Sequence, residues 1–181
     1  MSTENAEKIG LVHSCYGDGK GKTTAAFGLA LRCMGHGNKV VIAQFFKSRP
    51  SGEVSCIEQL SNVTLLRCHS LNKFTFQMND EEKNQLKKDC AELFDKAVRQ
   101  SLAEDVRLLV LDECLDACAN EYLSVSMVTD FLDNRPNGLE VLFTGHSLPP
   151  EIEARSDYIS RIVKEKHPYD KGVISRKSIE F

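Results

Sequence analysis

Three glycines, two lysines and two threonines fall within the eight residues Gly17-Asp18-Gly19-Lys20-Gly21-Lys22-Thr23-Thr24. Such a composition suits the cradling of polyphosphate oxygens. Glycines let backbone N–H groups approach a phosphate with no Cβ in the way. A helix that starts here adds the positive end of its dipole. In that setting Lys22 contacts phosphate oxygens and Thr23 offers its hydroxyl to Mg²⁺. The strict spacing G-x-x-x-x-G-K-[ST] asks for glycine five residues before Gly21, and Tyr16 stands there. A glycine-rich turn with no ligand is the plain alternative. A strand before the loop and a helix after it argue against that alternative.

A second chemical signal is Leu108-Leu109-Val110-Leu111-Asp112-Glu113, an apolar run ending in two carboxylates. Buried β-structure of this kind delivers acids to the carboxyl edge of a parallel sheet, where ligands of such sheets bind. Asp112 or Glu113 is placed to hold Mg²⁺ directly or through water. An Asp-Glu pair after a strand is by itself more often a solvated strand end. Beside a P-loop it becomes a metal–nucleotide site. Thr144, ending the next apolar strand, is expected to reach the same edge. Lys22, Thr23 and Glu113 are the expected catalytic groups, and Thr23, Asp112 and Glu113 the expected metal ligands.

Positioning these groups needs an α/β chain, and the sequence reads as one. Short β-rich runs alternate with helical patterns, which favours a mostly parallel central sheet flanked by helices. Strands are expected at Ile9–Cys15, Lys39–Phe46, Val63–Arg67, Arg107–Leu111, Leu139–Thr144 and near Tyr158–Val163. A helix is expected over about 22–34, closed by Gly35-His36-Gly37. The clearest helix lies at about 80–102, where Leu86, Cys90, Leu93, Phe94, Ala97, Val98 and Leu102 recur at steps of three and four. Another is expected within about 122–133, and a short one after Pro149-Pro150. No repeat or linker divides the chain, so residues 1–181 are expected to form one domain, with 1–8 flexible.

A chain of 181 residues can bury a substantial core. Its net charge of -3 gives no electrostatic reason to expect a nucleic-acid or membrane-surface partner. The apolar runs are too short to span a bilayer. The N-terminus lacks the pattern of a signal peptide, which makes cytoplasmic residence the expectation. Seven cysteines form no C-x-x-C pair and no zinc-spaced cluster. They read as small hydrophobes within apolar segments. Cys114 keeps an alternative, because it directly follows the acidic pair.

Beyond Mg·ATP, the choice narrows through resemblance. GDGKGKTTAAFGLALR with Gly35-His36-Gly37 behind it is similar to the P-loop ATP:corrinoid adenosyltransferases. So are Gln44-Phe45-Phe46-Lys47, Gly52-Glu53, Phe74-Thr75-Phe76, Leu111-Asp112-Glu113 and Thr144-Gly145. The tail Lys166-His167-Pro168-Tyr169-Asp170-Lys171-Gly172, with Ile179-Glu180-Phe181, completes the match from Gly10 to the end. The resemblance implies a RecA-like P-loop NTPase fold and a homodimer. It implies transfer of the 5′-deoxyadenosyl group of ATP to Co(I) of a reduced corrinoid, with release of triphosphate. It also implies an electron donor such as a flavodoxin or reduced flavin, and ATP bound with its phosphates reversed relative to other P-loop enzymes. Residues 17–24 and Thr144 then line the ATP phosphates and the site edge. Phe74 and Phe76 lie against the lower corrin face, displacing its axial ligand. From the residues alone, that F-x-F pair reads as core on one face of an extended segment. Four positions depart from the family pattern: Phe76 for Trp, His146 for Arg after Thr-Gly, Ser178 for Gly before Ile-Glu, and Ser48 for Gly after Lys47. The phosphate motifs also permit a generic P-loop ATPase or small-molecule kinase. His146 leaves open a non-catalytic nucleotide- or corrinoid-binding sensor.

Overall fold

The computed structural model describes residues 9–47, 51–68, 75–103 and 105–180, with only the backbone of residue 76. Strand β1 (Val12–Tyr16) leads through the glycine-rich loop into helix α1 (Lys22–Gly35). Then follow β2 (Lys39–Gln44), α2 (Gly52–Ile57), β3 (Val63–Arg67), α3 (Asp80–Ser101) and β4 (Val106–Asp112). The remainder is α4 (Cys114–Ala119), α5 (Val125–Asn134), β5 (Glu140–Gly145), α6 (Pro150–Glu153) and β6 (Tyr158–Arg161). The six strands form one sheet in the order β3-β2-β4-β5-β1-β6, and every pairing is parallel.

Alternation along the strands divides the core in two. Val41 and Ala43 of β2, Leu109 and Leu111 of β4, and Val141 and Phe143 of β5 pack on one face with Leu86, Cys90, Leu93 and Phe94 of α3. Val40, Ile42, Leu108, Val110 and Leu142 point the other way, against Ala26, Phe27, Ala30 and Met34 of α1. A strand buried on both faces must be apolar at every position, and this accounts for the Leu108–Leu111 run. Each fully buried Leu or Phe contributes about 1.5–3 kcal/mol relative to exposure.

Helix α3 starts at a reciprocal cap: the Asn79 side chain accepts from the Glu82 amide at 2.8 Å, and the Glu82 carboxylate accepts from the Asn79 amide at 3.0 Å. Strand β1 begins at Val12, three residues later than the apolar run predicts. The Leu11 and Val12 amides are taken by the side chains of Glu140 (3.0 Å) and Asp157 (2.8 Å), which replace strand partners there. Strand β2 stops at Gln44, opposite Asp112 of β4. The helix expected within 122–133 is α5, shifted to Val125–Asn134. Helices α2 and α4, six residues each, carry no periodic signal of their own.

All seven cysteines are free. Cys114 is wholly buried in the core, where burial, and then Cys118 beside it, push its thiol well above the usual range. It packs there as a small hydrophobe. Among the described residues, no helix is long and apolar enough to cross a membrane.

Candidate active site

The site lies along the carboxyl ends of β2, β4, β5 and β1. Register sets Gln44 beside Asp112, and Cys15 and Tyr16 beside Thr144 and Gly145. The loop Gly17–Gly21 then crosses the end of β1. The Gly17 amide donates to the Gly145 carbonyl at 3.0 Å, and the Gly19 amide donates to the Ile162 carbonyl at 2.9 Å. Gly17 has φ 120, and a Cβ there would lie 2.3 Å from the Ile162 carbonyl oxygen. Only glycine fits. Gly145 is required for space: a Cβ would meet the Leu115 Cβ at 2.5 Å. Lys22 and Thr23 open α1, and Lys22 Nζ donates back to the Gly19 carbonyl at 2.9 Å.

Asp112 is the centre of the arrangement. Its carboxylate is fully buried and collects donors from four segments. Oδ1 accepts from Thr23 Oγ1 (3.0 Å) and Thr144 Oγ1 (2.7 Å). Oδ2 accepts from Gln44 Nε2 (3.0 Å) and Lys47 Nζ (2.9 Å). Lys47 also donates to Thr23 Oγ1 and lies 3.5 Å from Glu113 Oε1. Burial opposes the charge on Lys47, but the Asp112 and Glu113 carboxylates outweigh it and raise its pKa. Glu113 sits at φ 62 ahead of α4, a left-handed conformation uncommon outside glycine. Its amide is fixed by Thr144 Oγ1 at 2.8 Å. Burial raises the Glu113 pKa, with Lys47 opposing and Asp112 and Asp116 adding to the rise.

The structure thus brings Lys22, Thr23, Asp112, Glu113 and Thr144 to one edge. Gly17, Gly19 and Gly21 form the loop, while Lys20 and Thr24 are exposed around it. Asp18 turns away from the acidic edge and accepts from the Lys164 amide at 3.1 Å, tying the loop to the segment after β6. His146 is exposed and held by Asp116, its amide at 2.9 Å and its Nδ1 at 3.0 Å from the two carboxylate oxygens. Phe74 and the Phe76 side chain lie outside the described residues. The backbone at Phe76 belongs to a 3₁₀ turn, Thr75–Gln77, in place of the extended segment expected there. Sequence reasoning passed over Lys47, Gln44 and Asp116 as site residues. The signal available for Gln44 was its position at the end of an apolar strand.

The donor set fits Mg²⁺. Thr23, Asp112 and Glu113 supply hard oxygens, and Lys47 shows that a cation is accepted among them. Gln44 Oε1 is buried without a hydrogen-bond partner among the described residues, an acceptor that a hydrating water would satisfy. No group of three or more His, Cys, Asp or Glu able to hold a metal occurs among the described residues. Mg²⁺ in nucleotide sites is instead bound through one or two carboxylates plus the phosphates.

The sequence profile of the ATP:corrinoid adenosyltransferase family BtuR/CobO/CobP matches residues 8–181. The chain belongs to this family. It is similar to the corrinoid adenosyltransferases of Escherichia coli K12, at 32% identity over 97% of this chain and 87% of the relative, and of Pseudomonas aeruginosa, at 33% over 94% and 82%. The corrinoid adenosyltransferase CobA of Salmonella typhimurium is 31% identical over 97% and 87%. Among solved structures, the ATPase 2 and 3 region of EssC from Geobacillus thermodenitrificans superposes with a TM-score of 0.52 at 16% identity. That match covers 93% of this chain and 35% of the other. At such low identity it speaks for a shared P-loop ATPase fold alone.

Proposed function

We propose that this protein transfers the 5′-deoxyadenosyl group of ATP to the cobalt of a reduced corrinoid. The Co(I) electron pair forms the Co–C5′ bond, the C5′–O bond breaks, and its electrons leave with triphosphate. The family match across residues 8–181 carries this reading. The site supplies what such a reaction requires. Co(I) needs no general base, so the protein has to align the reacting atoms and stabilise the departing polyphosphate. Lys22 and the loop amides other than those of Gly17 and Gly19, which are already given to protein carbonyls, are the groups for the phosphate oxygens. Thr23, Asp112 and Glu113 would hold Mg²⁺, which when bound neutralises polyphosphate charge. Thr144 orients Asp112 and the Glu113 amide together. Glu113, paired with Lys47 and turned out by its backbone, acts here as a charged ligand and abstracts no proton.

The same reading assigns Phe74 and Phe76 to the lower corrin face, from the family pattern. It takes a flavodoxin or reduced flavin as the source of the electron that converts Co(II) to Co(I). It also takes the enzyme to be a cytoplasmic homodimer. With Co(I) supplied chemically, Lys22→Ala is expected to lower turnover at least about 100-fold, the scale of losing a group that meets developing charge. Turnover within a few fold of wild type would remove Lys22 from the phosphate site.

A further inference from the structure

Lys47 touches every group that the metal would use. Its ammonium donates to one lone pair of Thr23 Oγ1, a hydroxyl whose own hydrogen is already given to Asp112 Oδ1 at 3.0 Å. It fills the one direction at Asp112 Oδ2 that Gln44 leaves open, at 2.9 Å, and lies 3.5 Å from Glu113 Oε1. Asp112 Oδ1 is occupied by Thr23 and Thr144. A divalent ion reaching Asp112 therefore meets no unused lone pair until Lys47 withdraws, and at Thr23 Oγ1 it meets the ammonium already in place. The carboxylates, for their part, lose their compensating cation unless another takes its place, and a buried unpaired charge is costly.

We propose that Lys47 is the built-in cation of the nucleotide-free site, holding the position a divalent metal takes, so that metal–nucleotide binding exchanges one cation for another. The proposal rests on the Mg²⁺ reading above and adds an order to it. Metal alone competes with Lys47 at a disadvantage. Metal arriving with nucleotide brings phosphate oxygens that give the released ammonium a new anionic partner. The side chain is suited to such a move, being a flexible four-carbon stem carrying a point charge, half-buried at the mouth of the site.

The test uses Mn²⁺ alone as probe, followed by the paramagnetic resonance of the free ion. Wild type and Lys47→Arg are expected to bind Mn²⁺ weakly, and Lys47→Met at least about tenfold more tightly. Lys47→Met binding no more tightly than wild type would overturn the exchange. Because that variant leaves two carboxylates facing each other, the comparison is repeated between Glu113→Gln and Lys47→Met/Glu113→Gln, which carry one charge fewer. The double variant is expected to bind Mn²⁺ more tightly than the single one, and equal affinities would again overturn the exchange. A parallel titration with Mn²⁺ plus ATP separates the two readings. If ATP binding depends on Mn²⁺ and on Asp112 while removal of Lys47 gains nothing, only the exchange fails. If ATP binds without regard to the metal, the Mg²⁺ reading fails and the exchange with it.

Discussion

Asp112 accepts hydrogen bonds from Thr23, Gln44, Lys47 and Thr144, residues supplied by α1, β2, the segment just after β2, and β5. The acidic pair and the threonine of the P-loop are visible in sequence, because each follows or opens a recognisable element. Lys47 is not. A lysine just past a strand reads as solvated, and its contact to Asp112 spans 65 positions. His146 likewise differs from the family pattern in a way sequence alone reads as loss. In the folded chain Asp116 holds its ring and its amide. At the far end of the chain, Arg176 clasps Glu180 through its amide (2.7 Å) and guanidinium (3.0 Å), holding that carboxyl down to about 2 from an ordinary 4.5. With the folded pKa depressed, the clasp is present above the ordinary carboxyl range and is lost as pH falls through about 2. Carbon-13 titration of Glu180 is expected to show this low midpoint, and Arg176→Ala, which removes the guanidinium but keeps the amide, to raise it toward the ordinary range. An unshifted Glu180 in the wild type would mean that no such clasp exists in solution.

The long elements follow from periodicity, and the short ones do not. Helix α3 announces itself by seven apolar positions at steps of three and four, and the structure places it at Asp80–Ser101. Helices α2 and α4 are too short for a 3.6-residue period to register, and α4 is set by packing against Gly145. Two substitutions separate what an element contributes to stability from what it contributes to the site. Asn79→Ala breaks the α3 cap and is expected to cost about 1 kcal/mol in urea unfolding, with ATP affinity unchanged. Gly17→Ala drives a Cβ into the Ile162 carbonyl at a positive φ. It is expected to cost about 1–3 kcal/mol and to abolish ATP binding by calorimetry. Normal ATP binding by Gly17→Ala would show that the loop does not hold phosphate in this conformation.

At the scale of the whole molecule, alternation of strands and helices foretold a mostly parallel sheet, and the sheet is parallel throughout. Strand order lies beyond sequence, since it depends on which faces the helices cover. That order brings the ends of β1, β4 and β5 together and makes one edge out of residues 17–24, 112–113 and 144. On the proposed reading, Phe74 and Phe76 displace the lower ligand of the corrinoid before it is reduced. Phe74→Ala or Phe76→Ala is therefore expected to slow reaction from Co(II) with a weak reductant at least about tenfold more than reaction from Co(I). Equal losses in both assays would take the pair away from the axial ligand. Adenosyl transfer itself is tested anaerobically, with purified protein, Mg·ATP and chemically reduced cob(I)alamin, followed by absorbance and by analysis of the released phosphate. A light-sensitive adenosylcorrinoid formed together with an equal amount of triphosphate is the expected result. Orthophosphate release without a cobalt–carbon product would contradict it and mark the protein as an ordinary ATPase.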